Sequence, residues 1–346
     1  MIRIIDSTIA MLKNYPITRE QLLIYCDLMK KIGIVDVEIS KKAYETMSCL
    51  PEDIRFYLNL EPFDLASNYT GIYRFITRQE TNIENSMSEY QMNDVRELVK
   101  IKNLINLPFL RIVGLDNLMT THYEQVISDI LKQLRNSKVN FCPENEFGCA
   151  SALASMWILL GGTEVTTSFA HYGNRAATEE VLMTLRIVAR YKPNQDLTMF
   201  PVIKKLLEDI TGILVPQDKP LLGDQIFHVE SGVHVDGILK NPSNYEAYAP
   251  KSVGLDSKII IGKHSGRSSI IQKLKDIGIL DAREEIIDEI LEQGKQISLE
   301  KRGSLTEEEF LILAREVLNN ERETLYHRHH TPGWGAEAGN LLSQRR

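Results

Sequence analysis

Two single carboxylates and three short stretches of this chain supply side chains able to do acid–base or ligand chemistry. Asp6 and Glu38 lie at the ends of short apolar runs, and CPENEFG (142–148) offers a thiol, two carboxylates and an amide within five residues, Cys142, Glu144, Asn145 and Glu146. Each of these becomes a metal ligand once deprotonated and aimed inward. Residues i and i+2 of an extended chain point the same way, so Cys142 and Glu144 would chelate together; Pro143 and Gly148 equally suit an ordinary turn into a helix. In ESGVHVDG (230–237), Glu230, His234 and Asp236 surround a glycine turn. There His234 is either a proton donor and acceptor near neutral pH, its tautomer set by a carboxylate, or a hydrogen-bonded structural histidine. GKHSGR (262–267) joins Lys263, His264 and Arg267 through glycines, either as a basic turn that receives a phosphate or carboxylate or as a solvated helix start capped by Ser265. In the tail, His327, His329 and His330 would bind metal only adventitiously.

Such groups need a scaffold, and the pattern up to about residue 230 supplies one. Short apolar or β-branched runs alternate with amphipathic segments, as in a parallel sheet wrapped by helices. The candidate strands are Arg3–Asp6, Asp36–Ile39, Arg55–Leu60, Tyr73–Thr77, Phe109–Val113, Val139–Cys142, Glu164–Phe169 and Gln225–Val229, runs of apolar or β-branched residues as strands buried on both faces require. Between the first two, Thr18–Ile32 places Ile24, Leu28 and Ile32 on one stripe, with Thr18 as N-cap and Gly33 as the stop. Eight such units predict a (β/α)8 TIM barrel, with a doubly wound open sheet as the other arrangement, and barrel chemistry sits at the carboxyl ends of the strands. Asp6, Glu38, Cys142, Glu144, His171, Glu230 and His234 would then share one rim.

After the eighth strand KNPSNYEAYAPKSVG reads as loop, and Ser268–Ile279, Ala282–Gln296 and Thr306–Asn320 carry apolar residues at helical spacing. The expected division is a barrel over 1–235, a linker and helical subdomain over 236–320, and a disordered tail over 321–346.

Composition narrows the class. The chain has 346 residues, 43% hydrophobic and 25% charged, which excludes collagen-like, disulfide-scaffold and mostly disordered proteins. With 40 Lys+Arg against 47 Asp+Glu, the formal charge of −7 gives no field that favours nucleic acid or an anionic membrane. The four cysteines are scattered, the N-terminus lacks a signal-peptide run, and no stretch approaches the ~20 apolar residues of a membrane span, so a cytoplasmic location is expected.

FHVESGVHVDGILKNPSNYEAYAPKSVGLDSKIIIGKHSGRSSI (227–270) closely resembles the barrel-exit and subdomain segment of homocitrate synthases of the nitrogen-fixation type, in the wider family of isopropylmalate and citramalate synthases. GIVDVEIS resembles the family's second strand, with Glu38 at the glutamate of E-x-G, and GGTEVTTSFAHYGNRAATEEV resembles its seventh strand and following loop. The resemblance runs from residue 1 to about 315. It implies a barrel, a helical subdomain that lids a neighbouring subunit, and condensation of acetyl-CoA with 2-oxoglutarate at a divalent metal. It also implies catalytic roles for His234, Glu230 and Glu38, and substrate contacts from Arg175, Lys263, His264 and Asn145.

The departures from the family pattern concentrate in the barrel. The opening D-T-T-L-R-D-G is DSTIAML here, with Ala10 and Met11 where the family has its oxyanion-stabilising Arg and metal-binding Asp. Its H-x-H-N-D has become Cys142, Glu144, Asn145 and Glu146; N-G-x-G-E-R-A-G keeps only Gly173 and Arg175; T-H-E has become HVE, with Val229 at the histidine. A soft, neutral thioether is no substitute for a hard carboxylate at Mg²⁺, Mn²⁺ or Zn²⁺. A degraded barrel with a kept subdomain resembles the omega chain of homocitrate synthases built from alpha and omega subunits, active only with a catalytic alpha partner that carries the tight metal. Two other readings stay open: a self-sufficient acyltransferase or lyase in which Asp6, Cys142 and Glu144 form a remodelled metal site, and a non-catalytic structural or regulatory barrel.

Overall fold

The computed structural model describes residues 2–78, 83–192 and 195–330, without side chains for 321–330. The tail histidines His327, His329 and His330 fall among those undescribed side chains, and 331–346 lie outside the described residues.

Eight strands among the described residues close into a parallel barrel: β1 (Arg3–Asp6), β2 (Asp36–Ile39), β3 (Arg55–Asn59), β4 (Ile72–Thr77), β5 (Ser86–Met92), β6 (Phe109–Gly114), β7 (Lys138–Pro143) and β8 (Glu164–Thr167). Closure is made by β1 and β8, with Arg3 opposite Glu164 and Asp6 opposite Thr167. The TIM-barrel expectation therefore stands, but one strand was misplaced. Ser86–Met92 is the fifth strand, although SMSEYQM lacks the continuous apolar run of a strand buried on both faces. Gln225–Val229 is not in the barrel: only His228–Val229 (β9) is extended, and it pairs with Lys258–Ile259 (β10) in a separate two-stranded sheet. The runs read as sixth and seventh are β7 and β8.

The connecting helices are α1 (Thr8–Met11), α2 (Arg19–Lys31), α3 (Lys41–Met47), α4 (Tyr123–Gln133), α5 (Ala150–Leu159), α6 (Thr178–Val188) and α7 (Phe200–Thr211). The expected start of α2 is present, since Thr18 and Gln21 form a capping box that satisfies backbone donors at the N-terminus. Strand polarity sets the two barrel ends apart. At the amino end Arg3 pairs with Glu164 at 3.1 Å, and Arg55 and Tyr57 both donate to Asp36, closing the floor with neutralised charge.

The chain divides into two compact units, Met1–Ile226 with Lys251–Leu255, and Phe227–Pro250 with Asp256–Arg346. The second contains β9, β10, α8 (Gly232–Lys240), α9 (Arg267–Asp276), α10 (Glu284–Lys301) and α11 (Glu307–His330) around a core that includes Ile270, Leu274, Ile290, Phe310 and Leu313. It begins before residue 235 because the β9–β10 ladder binds Phe227–Val229 to the later chain. Helix α11 runs on past Asn320, where the apolar period fades. Among the described residues no helix is long and apolar enough to cross a membrane.

Candidate functional site

Polar side chains line the carboxyl half of the barrel. Arg111 on β6 is fully buried and reaches across to β2, donating from Nη1 to Glu38 Oε2 at 2.7 Å and from Nε to Asn140 Oδ1 at 3.1 Å. Glu38 also accepts from Asn59 Nδ2 at 2.6 Å, and Asn140 accepts from Thr166 at 2.8 Å. Glu89 on β5 stands 3.4 Å from Arg111 Nη1. Glu38, expected as a catalytic group, is thus the buried counterion of an arginine. Arg111, Asn140, Asn59 and Glu89 escaped the sequence reading. Their signal was a charged or amide residue inside an otherwise apolar strand, as in FLRIVG, where burial demands a partner.

The structure does not bring Asp6, Cys142 and Glu144 together as ligands. Asp6 is buried and accepts four hydrogen bonds, from the Tyr25 hydroxyl at 2.7 Å, the Thr178 hydroxyl at 2.7 Å, the Thr8 hydroxyl at 3.0 Å and the Thr8 amide at 3.1 Å. Both its oxygens are spent on tying β1 to α2 and α6. Burial pushes its carboxyl above the ordinary range, against the pull of these donors. Cys142 is buried against the Arg175 guanidinium, and burial pushes its thiol up to about 11 although two arginines oppose it, so it stays a neutral thiol. Glu144 accepts from Gln91 at 2.7 Å. Among the described residues no three His, Cys, Asp or Glu side chains are grouped to hold a metal ion. At the position of the family's aspartate, the Met11 thioether packs on Gly173, where an added Cβ would stand 2.4 Å from sulfur. These residues do not fit a divalent metal.

The loop after β8 places Arg175. Ala170, His171, Gly173 and Asn174 all have positive φ, between 52° and 65°, a costly run for side-chain-bearing residues. Polar contacts hold it: the Ala170 amide donates to Glu179 at 3.0 Å, His171 Nδ1 donates to the Arg175 carbonyl at 2.7 Å, and His171 Nε2 faces Glu180 at 3.4 Å. A carbonyl oxygen only accepts, so Nδ1 carries a proton, and the Glu180 carboxylate beside Nε2 favours the charged form of the ring. Burial alone would lower its pKa, but Glu180 and the Arg175 carbonyl outweigh it and raise it. Lys219 closes the group by pairing with Glu179 at 3.1 Å and with Glu180. Asn145, expected at substrate, instead accepts from the Ala150 amide at 3.1 Å and holds the start of α5. Above the polar layer lies a cavity of about 820 Å³ whose lining includes Met11, Lys42, Asn59, Glu89 and Arg175.

The remaining expected residues lie in the second unit. Glu230 accepts from the His264 amide at 2.7 Å and sits over Gly262, where a Cβ would stand 2.5 Å from its carboxyl. Gly232 and Gly266 meet at the starts of α8 and α9, where a Cβ on Gly232 would lie 2.7 Å from the other's Cα. Bare backbone is required at that approach, and it draws the Glu230 and Lys263–His264 segments together. His234 is exposed on the first turn of α8, its ring 5.8 Å from that of Tyr245. The structure thus joins Glu230 with His264, and places Asp6, Glu38, Cys142, Asn145 and Arg175 in the other unit.

A parallel eight-stranded barrel with a polar layer under its carboxyl-end cavity, joined to a small helical unit, defines the class as a TIM-barrel protein of the kind seen in an HMG-CoA lyase of Acinetobacter baumannii. That structure matches with a TM-score of 0.50 at 10% identity over 62% of this chain and 93% of its own, a likeness of fold. The chain is similar to homocitrate and isopropylmalate synthases. Residues 221–302 match the family model described as the homocitrate synthase post-HMGL domain-like region. The chain is similar to the omega subunit of homocitrate synthase of Clostridium pasteurianum, 29% identical over 337 residues, 90% of this chain and 95% of that one. It is 33% identical over 204 residues to homocitrate synthase AksA of Methanocaldococcus jannaschii, covering 58% of this chain and 50% of the relative. With homocitrate synthase 1 of a Nostoc species it shares 37% over 175 residues, 50% and 46% of the two chains. This chain spans about half the length of the latter two relatives.

Proposed function

We propose that this chain is the omega-type subunit of a two-subunit homocitrate synthase, which condenses acetyl-CoA with 2-oxoglutarate for the nitrogenase iron–molybdenum cofactor, and that it acts only with an alpha-type chain. One contrast carries the reading: the segment matched by the homocitrate synthase model keeps Glu230, His234, Lys263 and His264, while Met11, Cys142 and Glu144 stand where the family holds its metal.

In this assignment the metal belongs to the partner's barrel, and this chain lends its helical unit. His234, exposed on α8, exchanges a proton with substrate; Lys263 and His264 offer hydrogen-bond donors to its acidic groups. Glu230 positions the Lys263–His264 turn through its bond to the His264 amide. Glu38 stays in the barrel as the counterion of Arg111.

The test is reconstitution. Release of free CoA from acetyl-CoA and 2-oxoglutarate is measured with this chain alone, with an alpha-type chain alone, and with both. The reading expects turnover only, or far faster, in the mixture. Turnover by this chain alone at a rate matching the mixture would sink it.

A further inference from the structure

The amino end of the barrel, opposite the cavity, holds more positive charge than it pairs. Arg3 begins β1, Arg55 begins β3 and Lys138 begins β7, while Asp36 and Glu164 begin β2 and β8. Arg3 meets Glu164 at 3.1 Å, and Arg55 meets Asp36 through two hydrogen bonds of 2.7 and 2.5 Å. Arg74 on β4 stands outside these pairs. It is only 6% exposed, no carboxylate among the described residues pairs with it, and its buried Nη1 has no hydrogen-bond partner.

Local strand geometry brings Arg74 to this group. The β3–β4 register slips by one residue, with Phe56 opposite Ile72 but Tyr57 opposite Arg74, so Tyr73 is an extra residue on β4. A bulge of this kind re-aims side chains, and here two consecutive residues reach the same cluster. The guanidinium carbons of Arg3, Arg55 and Arg74 stand 5.4, 5.6 and 5.4 Å from the centre of the Tyr73 ring. Arg74 also lies over the Phe109 ring, 3.3 Å from its centre, and Lys138 approaches that ring at 5.7 Å. Tyr73, 36% exposed, and the partly exposed Arg3 and Arg55 side chains open the cluster to solvent.

Charge selects the ligand. A guanidinium does not shed its proton in a protein, so Arg74 stays charged although buried. An aromatic face attracts the cation without neutralising it, and a water molecule would satisfy Nη1 but leave the charge. Three guanidinium groups face two carboxylates, and Lys138 adds a fourth cation. Burial alone would raise the Tyr73 phenol, but Arg74 and Arg3 hold it below its ordinary value. A dianion matches the excess of positive charge, and donors converging from several strands suit tetrahedral oxygens better than one planar carboxylate.

We infer that the amino end of this barrel is a binding site for a phosphate dianion, free or as a monoester, with Arg74 as its buried donor and Arg3, Tyr73 and Lys138 around it. The inference rests on no part of the subunit assignment.

Calorimetric titration of the full chain at about pH 8, where phosphate is a dianion, tests it. The probes are inorganic phosphate, glycerol 3-phosphate and glutarate, each set against sodium chloride of equal ionic strength. Saturable uptake of one or both phosphates is expected, with weaker uptake of glutarate and a rise in unfolding temperature on saturation. Tighter uptake of inorganic phosphate marks the free ion as the ligand, and tighter uptake of glycerol 3-phosphate marks a monoester. Arg74→Met should weaken uptake about 10- to 100-fold, as removal of a charge-assisted hydrogen bond does, and abolish the phosphate-dependent rise in unfolding temperature. Tyr73→Phe keeps the ring and loses only the hydroxyl; it should weaken uptake about threefold or more, and it decides the matter if Arg74→Met does not fold. The inference is overturned by no saturable uptake of either phosphate, by glutarate or chloride acting as well as phosphate, or by parental affinity in the variants that fold.

Discussion

The Arg111 guanidinium meets the Glu38 carboxylate at 2.7 Å across the barrel interior, both side chains 1% exposed. A buried pair of this kind adds little net stability over an apolar pair, yet leaving one member alone is severe. Arg111→Met should therefore lower unfolding stability by about 3–5 kcal/mol in urea, and Arg111→Met with Glu38→Gln should recover more than half. Equal loss in the single and double variants would show that the pair does not act as a unit.

Met11 and Gly173 make a second fixed relationship, since the thioether occupies the space a side chain at 173 would need, and Gly173 has φ +65°. Gly173→Ala should cost about 2–4 kcal/mol by thermal unfolding, from overpacking and left-handed backbone together. Adding Met11→Ala should restore the overpacking share and leave about 1 kcal/mol from the backbone. A double variant no better than the single would place the whole cost in the backbone.

The loop that carries Arg175 should be pH-sensitive on both sides. His171 has its pKa raised above 6.5 in the fold, so its contribution is complete below pH 6.5 and disappears as pH rises through the raised value. Glu180 is lowered from 4.5 to about 2 against the cost of its burial, by bonds from His171 and Lys219, so its contribution is present above pH 4.5 and lost as pH falls toward 2. Stability of the barrel should thus decline above pH 6.5, and His171→Gln should flatten that decline. A resonance of His171 that titrates below 6.5 would contradict the assignment.

In a reconstituted mixture with an alpha-type chain, His234→Ala should abolish CoA release while the two chains still co-elute. Cys142→Ser should change turnover by less than about threefold, because a buried neutral thiol takes no part in the chemistry. Activity retained in His234→Ala would remove that residue from the mechanism.

The barrel was largely legible in the sequence because strands buried on both faces must be apolar, and seven of the eight announce themselves that way. Ser86–Met92 did not, since the residues it turns inward include Glu89, which faces Arg111. A strand that serves a polar interior loses the signature by which strands are found. Gln225–Val229 failed in the opposite direction: its apolar run is real, but which edge it pairs with depends on Lys258–Ile259, thirty residues on.

Residue identity alone determined that the barrel lacks the family's ligand set, because Met11 and Ala10 cannot supply a carboxylate or a guanidinium in any conformation. It also fixed the glycine-bounded segments around Glu230, His234 and His264. Only tertiary structure decided that Asp6 is consumed by Tyr25, Thr8 and Thr178, and that Glu38 answers Arg111 from the far side of the barrel. Apart from Thr8, those partners stand 19 to 172 residues apart in the sequence, and a hydrogen bond counts only the distance in space.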